Sequence, residues 1–327
     1  MHYDVFNGDA DGIIALLQLR LSQNKPYPKQ STLVTGVKRD ISLLKQVDAE
    51  LATSVTVLDI SLEKNREPLG QLLENNIEVF YVDHHRTGDI PQSNCLTSLL
   101  DTDANICTSL LVNNYLNDEF INWAIAAAFG DNMEASAQSL AEKNNLSSGQ
   151  QMLLKELGTY INYNGYGRIV DDLHFHPATL FEQLSNYSDP FDLINETDSI
   201  FYKLKTAYLA DMAKAKSSAV LIDNEQLSAV QLKDEPWARR VSGVFGNELA
   251  NASPNKAHVV VTLNENTTNE EVTYTISLRA PLNNKQGAGD LCASFPTGGG
   301  RAAAAGINSL PAKMLGDFFD SVAKYYK

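Results

Sequence analysis

Three short apolar runs in the first 85 residues are each followed by side chains that can bind metal ions. Each run is rich in β-branched or aromatic residues, which predicts a strand. The carboxyl ends of parallel strands open onto one edge of a sheet, where ligands bind. We therefore expect these side chains to meet at one site. They are Asp9 and Asp11 after the first run, Asp59 after the second, and Asp83, His84 and His85 after the third.

Carboxylates and imidazoles in this number suit a pair of divalent metal ions. Mg²⁺ prefers oxygen ligands, and Mn²⁺ also accepts imidazole. Asp9 and Asp11 flank one small residue, Gly12 permits a tight turn into the next helix, and Asp59 can bridge two ions. Two ions about 3.5 to 4 Å apart can activate water and stabilise the leaving oxygen of an attack on phosphorus. The residue set therefore predicts two-metal phosphoester hydrolysis.

Each aspartate also has a purely structural interpretation. Aspartate is favoured at helix N-termini and in turns, so Asp9, Asp11 and Asp59 each fit a cap or a turn when taken alone. Two consecutive histidines after an apolar strand, His84 and His85, fit neither a good cap nor a core. The combination of segments therefore favours chemistry over capping.

The segments between these residues predict an α/β fold in which helices wrap a parallel sheet. Gly130-Asp131-Asn132 is expected to end the last helix of this series. The predicted strands are Tyr3–Phe6, Val55–Ile60 and Val79–Val82. The predicted helices are Ile13–Leu21, Ile41–Leu51, Leu62–Asn75, Cys107–Asn114 and Phe120–Phe129.

A second, smaller α/β domain is predicted after a polar segment. We place a catalytic domain at 1–190, a linker with a connecting helix at 191–217 and the second domain at 218–327. An exposed hairpin loop is expected at Glu265–Glu271, and an alanine-rich helix is expected to begin after Arg301. The other predicted elements are strands at Ala219–Ile222, Leu227–Leu232, Val259–Leu263 and Val272–Leu278, and a helix at Val241–Ala252.

Composition limits the partners. The 327 residues, 43% of them hydrophobic, suffice for about two domains. A formal net charge of −14 repels a phosphate backbone, so we expect no long nucleic acid, although bound metal ions can attract a small anionic substrate locally. The three scattered cysteines, and the lack of a signal peptide or an apolar span, predict a cytoplasmic protein without disulfides or a membrane partner. A homodimer is left open.

In four motifs the sequence resembles the DHH phosphoesterase superfamily, which is named for three residues that stand here as Asp83-His84-His85. Two later stretches, Ser277–Arg279 and Gly298–Arg301, resemble its associated substrate domain. The resemblance covers nearly the whole chain and implies an active site in a cleft between the two domains. The four motifs stand here as Asn7–Gly12, Val57–Ile60, Tyr81–His85 and Phe129–Asn132.

The resemblance also implies roles for single residues. His85 would face the scissile phosphate, and Asp83 would orient a histidine. Asn7 is a candidate metal ligand or support, because many members carry a histidine where Val5 stands here. One metal would be bound by Asp9 and Asp59, and the other by Asp11, Asp59, His84 and Asp131. Mn²⁺ is the favoured ion, with Mg²⁺ and Co²⁺ as alternatives.

The substrate implied by the resemblance is a short 5′-phosphorylated linear dinucleotide such as pGpG, which would be cut to mononucleotides. Arg301 stands where the family usually has histidine, and its planar guanidinium suits a terminal phosphate or the edge of guanine. The alternatives, in order, are a 3′-phosphoadenosine 5′-phosphate phosphatase, a RecJ-like single-strand exonuclease and a non-catalytic nucleotide sensor. The expected substrate contacts are Arg279, Gly298, Gly299, Gly300 and Arg301, with Thr108 and Ser109 near the metals.

Overall fold

The computed structural model describes residues 1–24, 27–28, 30–264 and 272–327. Contacts within the chain divide it into two compact units, Met1–Thr206 and Ala207–Lys327. The predicted connecting segment contains this boundary. Within the described ranges, no helix combines the length and the apolar character needed to cross a membrane.

Five parallel strands form the sheet of the first unit. They are β1 (His2–Phe6), β2 (Thr32–Val34), β3 (Ser54–Leu58), β4 (Glu78–Asp83) and β5 (Leu96–Leu100). Their order across the sheet is β2-β1-β3-β4-β5. Val5 pairs with Val57, Val57 pairs with Tyr81, and all three side chains are fully buried. Such apolar strands are typical of a parallel sheet that is covered on both faces.

Helices follow the strands of this unit, and the first of them is buried along most of its length. Ile13, Ile14 and Leu17 of that helix are all inaccessible to solvent, as expected for a helix that is apolar on every side. The helices are α1 (Ala10–Leu21), α2 (Arg66–Glu74), α3 (Thr108–Tyr115), α4 (Ile121–Gly130), α5 (Glu134–Lys143), α6 (Ser148–Asn164), α7 (Pro177–Leu184), α8 (Pro190–Asn195) and α9 (Ile200–Lys216).

In the first unit the structure confirms the three predicted strands and the helices that follow the site residues, and it corrects one predicted helix. The helix predicted at Ile41–Leu51 is wrong, because only a single 3₁₀ turn forms, at Leu43–Gln46. Leu43 and Leu44 are buried there while Ile41 and Leu51 are exposed, so one turn is enough to bury the apolar pair. The short strands β2 and β5 were not predicted.

The second unit contains a six-stranded mixed sheet. Its strands are β6 (Ala219–Asp223), β7 (Leu227–Leu232), β8 (Ala257–Asn264), β9 (Thr273–Arg279), β10 (Gly298–Gly300) and β11 (Ala304–Pro311), and its helices are α10 (Pro236–Ala252), α11 (Ala288–Ala293) and α12 (Leu315–Tyr325). The strand order is β10-β11-β9-β8-β7-β6; β7 and β8 pair in parallel, and the other neighbours in this order pair antiparallel. Val261, Ile276 and Phe318 belong to the core that this sheet shares with its helices.

The alanine-rich segment after Arg301 is a strand, so the predicted helix is wrong. This strand, β11, pairs with both β9 and β10 and buries Ala305, Ile307 and Leu310. Pairing on both sides outweighs the helix propensity of alanine, which is worth only tenths of a kcal/mol per residue, on the order of 0.5. The hairpin loop expected at Glu265–Glu271 lies outside the described residues.

Candidate metal centre

Asp9 ends the turn between β1 and α1 and caps that helix. Its Oδ1 accepts hydrogen bonds from the backbone N–H groups of Asp11 and Gly12, both at 3.1 Å. A Cβ added to Gly12 would lie 2.3 Å from the carbonyl oxygen of Asn7, so the turn requires glycine at that position. The other carboxylate oxygen, Oδ2, accepts a hydrogen bond from the Lys38 ammonium. Asp9 therefore caps α1 with one carboxylate oxygen and contacts Lys38 in the centre with the other.

Asp11 is buried and is bound to the start of α3. Its two carboxylate oxygens accept the backbone N–H groups of Thr108 and Ser109, at 2.8 and 2.7 Å. The Ser109 hydroxyl also donates to the Asp11 carbonyl oxygen at 2.8 Å. Thr108 and Ser109 are themselves buried and orient Asp11, and their contact with substrate stays a prediction.

Asp59 follows β3 in a left-handed backbone conformation, with φ of 58°. Aspartate is one of the few residues besides glycine that adopt this conformation readily. Its N–H donates to the Val82 carbonyl, and the Thr108 hydroxyl donates to its Oδ1 at 3.3 Å. Burial and the nearby charges of Asp9 and Asp11 raise the pKa of Asp59 well above its ordinary value. An excess of buried negative charge of this kind favours a bound cation.

His84 presents one ring nitrogen to three carboxylates. Its Nδ1 lies 2.9 Å from the Ile106 carbonyl oxygen, which can only accept, so Nδ1 carries a hydrogen and Nε2 is the nitrogen that faces the carboxylates. Nε2 lies 3.4 Å from Asp59 Oδ1, 3.8 Å from Asp11 Oδ2 and 3.9 Å from Asp131 Oδ2. An imidazole nitrogen and three carboxylates are ligand types that a divalent cation accepts, so these four side chains are candidate metal ligands.

Asp131 reaches this point because three helices pack closely around Gly130. A Cβ added to Gly130 would lie 2.6 Å from the Cβ of Ala10 and 2.8 Å from the carbonyl oxygen of Gly158. The absence of a side chain therefore lets the carboxyl end of α4 approach α1 and α6. Asp131, the next residue, is brought beside Asp9 and His84.

His85 and Asp83 form a pair next to this centre. The His85 Nδ1 donates to Asp83 Oδ1 at 2.7 Å, and the His85 side chain is 35% exposed. Burial acts to lower the pKa of His85, but the hydrogen bond to Asp83 and the charge of Asp59 outweigh burial and raise it. Asp59, His84 and His85 also bring one possible ligand atom each to within 4.8 Å of one another.

Sequence reasoning missed Lys38. Its Nζ contacts Asp9 Oδ2, lies 3.1 Å from Asn162 Oδ1 and 3.5 Å from Asp131 Oδ1. Lys38 follows the end of β2, so the rule that identified the aspartates would also have identified this lysine had β2 been predicted. Burial acts to lower the pKa of Lys38, but the charge of Asp9 outweighs it and the pKa lies well above its ordinary value.

Asn7 lies at the back of the same turn. Its side-chain nitrogen donates to the Lys38 carbonyl oxygen at 3.4 Å. Its Oδ1 is buried and has no hydrogen-bond partner among the described residues. Asn7 thus supports the segment that carries Lys38, and its role as a metal ligand stays a prediction.

The predicted substrate contacts of the second unit lie on two of its strands or directly after them. Arg279 donates to Asn247 at 2.5 Å, to the Gly243 carbonyl at 3.0 Å and to the Ser277 hydroxyl at 3.1 Å, so it connects α10 to the sheet. The stretch Gly298–Gly300 forms strand β10, and Arg301 is exposed directly after it. Contacts of these residues with substrate stay a prediction.

Glycine is required at two positions of β10. A Cβ at Gly298 would lie 1.8 Å from the Cys292 carbonyl oxygen, and Gly300 has φ of 142°. A Cβ at Gly299 would meet nothing within 4 Å. Packing therefore requires glycine at Gly298, and the backbone conformation requires it at Gly300. At Gly299 there is space for a side chain.

Comparison with protein-family models and with curated proteins finds no match to this chain. Solved structures do match. RecJ from Thermus thermophilus in complex with Mn²⁺ has a TM-score of 0.55 at 15% identity; the match covers 99% of this chain and 52% of RecJ, so this chain spans about half of that protein.

Two other solved structures match over almost their whole length. A pGpG-specific phosphodiesterase, PggH from Vibrio cholerae, has a TM-score of 0.53 at 10% identity and is covered to 99%, with 100% of this chain. An exopolyphosphatase-related protein from Bacteroides fragilis has a TM-score of 0.50 at 14% identity, with 99% of this chain and 92% of that one covered. This chain shares their fold. The two-unit α/β architecture expected from the motifs is thereby confirmed.

Proposed function

We propose that this protein is a metal-dependent phosphodiesterase of the DHH type that hydrolyses short 5′-phosphorylated linear dinucleotides to mononucleotides. The observation that carries the proposal is the convergence of Asp11, Asp59 and Asp131 on His84 Nε2, at 3.4 to 3.9 Å. Oxygen and imidazole ligands in this arrangement suit Mn²⁺ or Mg²⁺. A binding protein without turnover has no need of such a ligand set.

The ligands and their neighbours have separable tasks. Asp11, Asp59, His84 and Asp131 would hold the metal, which would activate water and stabilise charge on the reacting phosphate. His85 is oriented by Asp83, so its Nε2 can donate a hydrogen bond to a phosphate oxygen when the ring is protonated. Thr108 and Ser109 fix the position of Asp11 through their backbone N–H groups.

Two observations favour a small nucleotide over a long strand. The net charge of −14 opposes association with a polyanion, because binding to long nucleic acid depends on many cationic contacts. The matched phosphodiesterase for pGpG has nearly the length of this chain. Arg301 on the second unit would bind the terminal phosphate or a guanine base.

The experiment is product analysis by chromatography. The protein is first treated with chelator and then supplied with Mn²⁺ and one of four substrates: linear diguanylate, linear diadenylate, 3′-phosphoadenosine 5′-phosphate or a longer single strand. We expect mononucleotides from the dinucleotides, fastest from the guanine one, and none before Mn²⁺ is added. Release of inorganic phosphate alone, or preferential degradation of the long strand, would refute the dinucleotide assignment.

The contribution of Arg301 is tested separately. Arg301→Ala should mainly raise KM for the dinucleotide, if the contact is equally strong in the ground and transition states. Arg66→Ala is a matched control, since Arg66 is an exposed arginine that pairs with the exposed Asp89. An unchanged KM in Arg301→Ala would remove Arg301 from the substrate site.

A further inference from the structure

A lysine ammonium occupies one side of the candidate metal centre. The Nζ of Lys38 faces oxygens of three side chains, namely Asp9 Oδ2, Asn162 Oδ1 at 3.1 Å and Asp131 Oδ1 at 3.5 Å. An ammonium has three N–H donors, so these three acceptors satisfy it completely. The contact with Asp9 is an ion pair between two largely buried groups, with Asp9 only 2% exposed.

The backbone fixes Lys38 in this position. Its N–H donates to the Gly165 carbonyl oxygen at 2.7 Å, and its own carbonyl oxygen accepts from the Asn7 side chain at 3.4 Å. The ammonium also lies 5.6 Å from the centre of the Tyr166 ring, within the range of a cation–π contact. Contacts at both ends of the residue and along its side chain indicate a defined site for the ammonium.

The carboxylate oxygens of the centre are divided between two groups. Asp9 uses Oδ1 to cap α1 and Oδ2 to bind the Lys38 ammonium, so a cation already contacts it, whereas the donors to Asp11 are neutral backbone N–H groups. Asp131 directs Oδ1 toward Lys38 and Oδ2 toward His84 Nε2, at 3.9 Å. On one side of the centre the acceptors contact the Lys38 ammonium, and on the other side carboxylate oxygens face His84 Nε2.

From this division we infer that the centre binds one divalent metal ion, at Asp11, Asp59, His84 and Asp131, and that the Lys38 ammonium takes the place of a second. This inference rests on the proposed function for the first site and differs from the two-metal expectation drawn from the sequence. A second divalent ion at Asp9 would have to displace the ammonium from Asp9 Oδ2 while lying close to a like charge. Lys38 is then available as a fixed positive charge beside a phosphate bound at the metal.

The test counts Mn²⁺ ions in the intact protein without reference to activity. Metal-free protein is titrated with Mn²⁺ by isothermal calorimetry, and the bound ion is also counted by elemental analysis after gel filtration. We expect one ion per chain in the wild type and two in Lys38→Met, where Asp9 loses its ammonium. Lys205→Met is the matched control, because Lys205 pairs with Glu156 at 2.8 Å within the same unit, and it should bind one ion.

Electron paramagnetic resonance of the Mn²⁺-loaded protein gives a second readout. An isolated Mn²⁺ gives the six-line spectrum of a single ion, whereas two ions held by a shared carboxylate are magnetically coupled. We expect the single-ion spectrum in the wild type even with Mn²⁺ in excess, and the coupled spectrum in Lys38→Met. The wild-type measurement keeps the inference testable if the variant does not fold.

The outcomes separate the inference from the proposed function. Two ions per chain or a coupled spectrum in the wild type would overturn the inference and leave the phosphodiesterase intact. A Lys38→Met variant that folds and still binds one ion would also overturn it. A wild type that binds no Mn²⁺ would instead contradict the proposed function.

Discussion

His85 donates the hydrogen on its Nδ1 to Oδ1 of Asp83 across 2.7 Å, and the two residues differ sharply in exposure. The Asp83 side chain is completely buried, whereas 35% of the His85 side chain is accessible. The buried carboxylate thus fixes both the tautomer and the orientation of a partly exposed ring. Such a pair can place one N–H donor accurately at a reacting phosphate.

Replacing Asp83 by asparagine should lower kcat by about 10- to 100-fold, the usual effect of losing a carboxylate that orients a histidine at a metal site. The hydrogen bond to Asp83 is the largest influence that raises the pKa of His85, so its weakening should lower that pKa. Activity that needs protonated His85 is lost as pH rises through the pKa. The alkaline limb of the kcat/KM profile should therefore move to lower pH in Asp83→Asn.

Asp89→Asn serves as the control for that profile, because Asp89 is an exposed partner of Arg66 outside the centre. Its alkaline limb should coincide with that of the wild type. An Asp83→Asn profile that drops in height without any shift along the pH axis would show that Asp83 does not act through His85.

Replacing Asp59 by asparagine should reduce turnover by more than about 100-fold, because a direct ligand contributes more than a supporting group. Asparagine also tolerates the left-handed backbone at this position, with φ of 58°, so the variant should fold. The measurement is kcat for the linear dinucleotide at saturating Mn²⁺. Turnover within about 10-fold of the wild type, a difference of about 1.4 kcal/mol, would remove Asp59 from the metal site.

The same Asp59→Asn substitution should stabilise the metal-free protein. Burial and the charges of Asp9 and Asp11 oppose ionisation of Asp59, and a neutral amide does not suffer this repulsion. We expect the melting temperature without metal to rise by about 2 to 4 °C, which corresponds to about 1 kcal/mol. In the presence of Mn²⁺ the order should reverse, since only the wild type gains full binding energy from the ion.

Two glycines of α6 offer a matched test of packing around Asp131. A Cβ at Gly158 would lie 1.9 Å from the Ala126 carbonyl oxygen, whereas one at Gly149 would meet nothing within 4 Å. Gly158→Ala should cost about 1 to 3 kcal/mol of unfolding free energy and weaken Mn²⁺ binding by displacing α4. Gly149→Ala should raise stability by up to about 1 kcal/mol and leave Mn²⁺ binding unchanged. Chemical denaturation and calorimetry measure the two effects, and equal responses would contradict the packing explanation.

Asp4 is a buried carboxylate away from the centre whose charge should stabilise the fold. It accepts from His2 at 3.0 Å and also from Arg20 and Tyr27. Burial acts to raise the pKa of Asp4, but these hydrogen bonds and the charge of Arg20 outweigh it and lower the pKa. A lowered pKa in the folded state stabilises at pH above the unfolded value, near 3.9, and this contribution is lost as pH falls through the folded value.

Asp4→Asn should therefore reduce the unfolding free energy by about 1.5 to 3 kcal/mol near pH 7. The loss should shrink as the pH is lowered below about 4, where the wild-type carboxylate also becomes protonated. Urea denaturation at several pH values measures both. A difference between wild type and variant that stays constant with pH would show that the charge of Asp4 contributes nothing.

Sequence patterns were sufficient for the residues that follow well-formed strands. The valine-rich runs before Asp59 and Asp83 are strong strand signals, and parallel pairing brings their ends to one edge. Lys38 was not identified as a site residue, because the strand before it, β2, has only three residues. Val34 is the single buried position of that strand, so the sequence shows no periodic pattern there. The bonds from the Thr108 and Ser109 backbone to Asp11 could not be predicted, because a sequence does not show which N–H groups a distant carboxylate meets.

The bonds from Thr108 and Ser109 to Asp11 give that residue two separate reasons to be retained in evolution. A descendant that abandoned catalysis would still lose the anchoring of α3 on replacing Asp11, so selection for a stable fold alone would preserve it. The side chains of Asp59 and His84 contribute less to the stability of the fold, so they would be substituted earlier. Among diverged homologues, a retained Asp11 would therefore say little about activity. Retention of both Asp59 and His84 would be the better indicator of activity.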